Sequence, residues 1–464
     1  MRLILVILKK KQENASGMAH FSEQEIQDCI QHLQNLIRID TTNPPGNEIK
    51  AADYLKNIFE REKIPYKILE GKPTRANFIA RLKGDGSRKP LLLTSHLDVV
   101  PCEKNKWDVD PFSGEIKDGY IWGRGAVDMK QMTALELCVF LKAHREKILL
   151  KRDLIFAAVA DEETGCEWGS QWLTKHHPDL IRAEYALNEV GGFSMPIGKY
   201  IFYPIGVAHK GICWFEITAT GKAGHGSIPH RDQAIDHACL IAHKFAQNNL
   251  PFHKTKVVAE FIDKIASHQS FPRNMVLKGL KNKFFSRFFT RKIFPDKDRG
   301  RDFENLFCNT ATPTLMQAGY KNNVIPSEAR VTFDGRVLPE HTVAEFLAEI
   351  QRLIGDRYEI EILQTEEPCE TDYDNDFFRS LCRALEKNDP GCIPTPFLIP
   401  GFTDAKHYNK IGIKTFGFAP TKLPPDLIFG ELFHGHNERI PVSAIEFGLN
   451  TLWDVILENC YALA

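Results

Sequence analysis

In SEQEIQDCIQHLQNLIRI, from Ser22 to Ile39, the apolar residues Ile26, Ile30, Leu33 and Ile37 recur at the spacing of one helix face. Ser22 stands at the N-cap position and Glu25 three residues on, the pattern of a capping box. TTNPPGNE breaks this helix, and IKAADYLKNIFERE predicts a second one. The period then changes. YKILE, ANFIARLKG and KPLLLTSHLDVV read as strands, the segment after GRGAVDMK as a helix to about Arg145, and RDLIFAAVADEE as an apolar strand that runs into acids. Helices alternating with fully apolar strands predict an α/β fold with a mixed, mostly parallel sheet.

From about Lys210 the texture differs. GICWFEITATG alternates like a half-exposed antiparallel strand, followed by the helix DQAIDHACLIAHKFAQNN, the strand EARVTFDGRVLP, the helix TVAEFLAEIQRLI and the strand YEIEIL. From about Glu370 the α/β pattern resumes with DNDFFRSLCRALEKN, IKTFGFAP and VSAIEFGLNTLWDVILENC. The organisation expected is a catalytic domain made of residues 1–209 and 367–464, interrupted at 210–366 by a smaller α+β domain. A chain of 464 residues is too long for one core, which agrees with two domains.

A formal net charge of −1 argues against nucleic acid or an anionic membrane as the main partner. The eleven cysteines include no C-x-x-C pair, so a reducing, cytoplasmic setting is expected. The start, MRLILVILKKK, carries most of its charge on the wrong side of the apolar run for a secretory signal and is too short to span a bilayer. Residues 1–17 are read as disordered, a translation-start artefact or a weak surface anchor.

Ligands of open α/β sheets sit outside the carboxyl ends of strands. His96 ends one predicted strand, Ala160 to Glu163 (ADEE) ends another, and Glu189 follows a third. Asp128 follows the Gly-Arg-Gly turn of WGRGAVDMK. A His at a strand end is by itself more often an ordinary core or surface residue. Four acidic or imidazole-bearing segments at one sheet edge are different, because clustered carboxylates repel and a divalent metal relieves that. Asp98, two residues after His96, is then placed to orient the imidazole. Glu162 and Glu163 are adjacent and point apart, so one can bind metal while the other faces the attacking water.

SHLDVVP, WDVDPFSGEIKDGYIWGRGAVDMK, DEETG, LNEVGG, GKAGHGSIP, NNVIP…FDGRVLP, PGFTDAKHY and HGHNERIP follow one another over about 350 residues. In these motifs the chain resembles the di-zinc metallopeptidases that include aminoacylase, bacterial glutamate carboxypeptidase, succinyl-diaminopimelate desuccinylase and yeast carboxypeptidase S, most of all the last. The resemblance implies a phosphorylase/hydrolase-like catalytic domain and a ferredoxin-like inserted lid that also dimerises. It implies two Zn²⁺ per chain, with Co²⁺ or Mn²⁺ as substitutes. His96 and Glu189 would bind one ion, Glu163 and His434 the other, and Asp128 both. Glu162 would be the general base and Asp98 the carboxylate under His96. His436 is a rival to His434 but does not fit the His-x-x-Asn-Glu spacing. Asn188 stands where relatives often carry Asp.

The same resemblance makes His225 an oxyanion donor to the active site of the other subunit of a homodimer. It makes Asn323, Arg336 and Gly401 contacts for the substrate's carboxylate or scissile region. The implied reaction is hydrolysis of an N-acyl amino acid or a short peptide with a free carboxylate. A di- or aminopeptidase, an amidase on another acyl or carbamoyl substrate, and a non-catalytic binding protein are the alternatives. The basic stretch LKGLKNKFFSRFFTRKIFPDKDRGR, 277–301, carries five Phe and is read first as wrapping a dimer or lining an apolar acyl pocket, and second as a membrane-surface or nucleic-acid patch.

Overall fold

The computed structural model describes residues 20–246, 250–290 and 303–462; the apolar start at 1–17 and the end of the basic stretch, 291–301, lie outside them. The chain forms two compact units. The first holds residues up to Val207, Thr371–Pro396 and Thr403–Ala464; the second holds Ala208–Glu370 and Phe397–Phe402.

The first unit is built on a mixed sheet whose strands lie in the order Tyr66–Lys72, Arg75–Leu82, Leu154–Val159, Leu91–His96, Tyr185–Asn188, Lys414–Gly417 and Tyr200–His209. The four central strands, from Leu154–Val159 to Lys414–Gly417, are parallel, and the pairs outside them are antiparallel. LIFAAV is buried at every position, as the middle of such a sheet requires. On one face Phe156 meets Phe59, Phe78 and Phe140. On the other, Leu92, Ile155, Ala157 and Ala186 pack with Leu173, Ile181 and Tyr408. The helix Lys130–Arg145 and the C-terminal helix Val442–Cys460 are buried over nearly their whole length and pack on each other. Ser22 and Glu25 form the expected capping box.

The second unit is a four-stranded antiparallel sheet in the order Thr310–Ala318, Glu328–Val337, Gly211–Thr220 and Ile360–Glu366. Its inward face packs on the helices Ala234–Ala246 and Val343–Ile354. Strand, helix, strand, strand, helix, strand is the ferredoxin-like succession. The strand Thr310–Ala318 is not legible in the sequence. That strand is an edge and mostly exposed, so it shows no alternation. Among the described residues no helix is long and apolar enough to cross a membrane.

Candidate metal centre

The three parallel strands Leu91–His96, Leu154–Val159 and Tyr185–Asn188 end at one edge of the first unit's sheet, and their ends carry His96, the Asp161-Glu162-Glu163 turn and Glu189. Asp128 and His434 come from loops. His96 Nε2 lies 3.1 Å from Asp128 Oδ1 and 3.5 Å from Glu189 Oε2. His434 Nε2 lies 3.2 Å from Asp128 Oδ2 and 3.1 Å from Glu163 Oε2. The two oxygens of Asp128 thus face two different imidazoles, each with its own glutamate. Four ligands about 2.0–2.2 Å from a tetrahedral ion are about 3.3–3.6 Å apart, close to these spacings. Glu163 Oε1 and Glu189 Oε1 are buried without a hydrogen-bond partner. The donor set and its spacing fit two divalent ions. Glu162 also offers an oxygen within 4.8 Å of His96 and Glu189, so proximity alone does not separate base from ligand.

His96 Nδ1 lies 3.0 Å from the carbonyl oxygen of Asp98, which can only accept. In the neutral ring the proton therefore sits on Nδ1, and Nε2 presents its lone pair to the acids. The Asp98 carboxylate is 3.5 Å from Nδ1. It accepts from Asn43 Nδ2 and from the backbone N–H groups of Glu162 and Glu163, so it pins the turn that carries both glutamates.

Burial and mutual repulsion set the electrostatics of this acid cluster. Burial, then repulsion from Asp128, pushes Glu163 up to about 7. Burial lifts Glu189 to about 8; Asp128 and Asp404 add to this and His96 opposes it. Burial, then the charge of Glu189, raises Glu162 well above the usual carboxylate range. Hydrogen bonds to Asp128 and Glu163 hold His434 up at about 10. Burial pulls His96 down, yet Glu189, Asp128 and Asp98 together leave it well above its ordinary value. Burial also opposes ionisation of Asp128, but His434 and His96 outweigh it and hold that group low. A cation reverses the sign for the raised acids.

Strain gathers here as well. Asp161 (φ 69°), Val190 (φ 56°), His434 (φ 60°) and Asn437 (φ 60°) are left-handed without being Gly, and for β-branched Val190 that is costly.

The residues that hold this geometry were not singled out in the sequence. Asp161 accepts from Asn43, Arg75, Thr164 and the backbone N–H of Trp168; Arg75 also forms a two-bond pair with buried Glu48. Glu438 accepts from the N–H groups of Gly125, Val127 and Asp128 and from Arg124, which in turn donates to the Gly435 carbonyl. Asp404 is buried and bonds Ser170, with Oδ2 left unpartnered. Asn43 and Glu48 lie in TTNPPGNE, which the periodicity marked only as a helix breaker.

His225, Asn323, Arg336 and Gly401 lie in the second unit. His225 pairs with Val324 on a two-stranded ladder, and Gly226 N–H donates to the Asn323 carbonyl, so His225 and Asn323 are neighbours. Ser227 N–H donates to His225 Nδ1, which leaves the neutral ring's proton on Nε2. Arg336 is clamped by Asp334 at 2.8 and 3.0 Å and lies 5.8 Å from the Phe402 ring, next to Gly401; its Nη1 is buried without a hydrogen-bond partner. A Cβ at Gly401 would meet nothing within 4 Å.

The pattern of Peptidase family M20/M25/M40 matches residues 92–458. The N-fatty-acyl-amino acid synthase/hydrolase PM20D1 of Xenopus tropicalis is 26% identical over 466 residues, covering 95% of this chain and 87% of the relative. A probable carboxypeptidase S-like protein of Dictyostelium discoideum is 30% identical over 378 residues, covering 77% of this chain and 69% of the relative. Among solved structures, an M20 family metallo-carboxypeptidase from Sulfolobus solfataricus superposes with a TM-score of 0.66 at 17% identity, covering 94% of this chain and 99% of that one.

Proposed function

The chain belongs to Peptidase family M20/M25/M40, hydrolases of amide and peptide bonds, and on that premise we propose that it cleaves N-acyl amino acids or short peptides that bear a free carboxylate. The observation that carries the reading is Asp128, whose two oxygens face His96 and His434 separately. His96, Asp128 and Glu189 would hold one ion, and Asp128, Glu163 and His434 the other, with zinc as the metal and cobalt or manganese as substitutes. Bound there, two divalent ions supply a polarised substrate carbonyl and a more acidic water. Glu162 takes the proton of the attacking water and returns it to the leaving amine. Glu162 is buried beside His96 and Glu189, within reach of a water held at the same site. In a homodimer, His225 Nε2–H would serve as the oxyanion donor to the active site of the other subunit. Arg336 meets the substrate carboxylate through Nη1; a buried donor without an acceptor costs about 1–3 kcal/mol, which a carboxylate would recover. The acyl amino acid class is favoured by the PM20D1 relative, alike over nearly the whole chain. A homodimer through the second unit and a cytoplasmic setting complete the proposal.

The test is hydrolysis of a panel of N-acyl amino acids and dipeptides on protein of measured metal content, beside Glu162→Gln. Two metals per chain, turnover, and a loss of about 10²–10⁴-fold in the variant at unchanged metal content are expected. Two metals with no turnover would reject the substrate class; no bound metal would reject the ligands.

A further inference from the structure

We infer that the face formed by residues 271–288 of the second unit is a docking surface for an anionic lipid bilayer. Phe271 (75%), Met275 (63%), Phe284 (81%) and Phe288 (57%) are exposed there. Single exposed apolar residues are ordinary, but four within eighteen residues need a reason. The exposure is built in. Asn282 caps the short helix Lys283–Phe288 by accepting from the N–H groups of Phe284 and Phe285. Ser286 is buried and the Phe285 ring backs onto Gly279, so the inward side of the helix is anchored, while Phe284 and Phe288, one turn apart, face solvent.

Charge selects the occupant. Residues 270–290 contain five Lys and Arg and no Asp or Glu. Lys281 pairs with Asp263 and Arg287 with Glu304, but Arg273, Lys278 and Lys283 are exposed. Aromatic rings beside cations are what an anionic interface takes up: the rings enter the headgroup boundary and the cations meet lipid charge. A second copy seated face to face would instead set like charges against each other. The geometry is that of contact with a bilayer, since no described helix can cross one. This inference is independent of the substrate proposal.

The experiment is co-sedimentation of the full chain with phosphatidylcholine vesicles, with and without phosphatidylserine. Binding is expected only with phosphatidylserine and should fall with added salt. Each surface cation is worth about a fivefold change, so Arg273→Ala/Lys278→Ala/Lys283→Ala should weaken partitioning about a hundredfold. Phe284→Ser/Phe288→Ser should weaken it about tenfold or more. Phe284→Ser alone serves if the double variant melts early, and all variants should keep wild-type turnover of a water-soluble substrate. Absence of binding, wild-type binding by both variants, or loss of a concentration-dependent self-association in their place would each overturn the inference.

Discussion

Glu438 shows how one side chain can set the position of another without touching a reactant. Its carboxylate is fully buried and takes three backbone N–H groups from the loop that ends at Asp128, while Arg124 ties it to the loop that carries His434. Glu438→Gln turns an acceptor-only group into one with an NH₂ facing N–H donors. We expect metal affinity to drop about 10–100-fold, read by competition with a chromogenic chelator, with the fold retained by circular dichroism. Arg336→Met should raise KM for substrates with a free carboxylate and leave their carboxamide analogues unchanged, measured as paired kinetics. An equal rise for both would remove Arg336 from carboxylate recognition. At this scale the motifs named His96, Asp128, Glu163, Glu189 and His434, and the structure brings the five together. Glu438 lies within HGHNERIP, but nothing local in the sequence shows that its carboxylate oxygens are met by amides 310 to 313 residues away.

Elements carry their own constraints. Gly169 opens the helix Ser170–His176, and a Cβ there would lie 1.7 Å from the carbonyl oxygen of Ala160, the residue before the Asp161-Glu162-Glu163 turn. Gly169→Ala must push helix and turn apart. Overpacking of this kind costs about 1–3 kcal/mol, so a lower thermal midpoint together with a reduced metal content is expected. In the second unit, Lys210 sits at the start of the Gly211–Thr220 strand and donates to the carbonyls of Asn305 and Cys308. Burial lowers it from 10.5 to about 8. Between these values the unfolded chain holds a proton that the folded chain has released, so stability rises with pH from about 8 toward 10.5. Lys210→Met should flatten that rise in urea titrations across the range. The strand runs with strong periodicity were legible, and the edge strand Thr310–Ala318 was not, because half-solvated edges need no apolar face.

For the molecule as a whole, the candidate centre belongs to one unit. A chelator should therefore lower the thermal midpoint and speed amide exchange around 125–128, 160–164, 188–191 and 433–438, with little change in the strands Gly211–Thr220 and Glu328–Val337. A ligand at a hundred times its Kd stabilises by about 2.7 kcal/mol, which sets the scale of the shift. Equal loss of protection in both units would mean that metal binding holds the entire fold rather than the edge of one sheet.

The sequence by itself determined the helix faces, the capping box at Ser22, the buried strands and the acids at their ends, since each depends on neighbours a few residues away. Tertiary structure alone decided which oxygen of Asp128 meets which imidazole, that Asp98 holds the Glu162–Glu163 turn, and that Arg75, Glu48 and Asn43 fix Asp161. Those contacts join residues 32 to 306 positions apart, and a contact across such a span leaves no period in the chain; only the sheet edge and its loops bring the partners within reach.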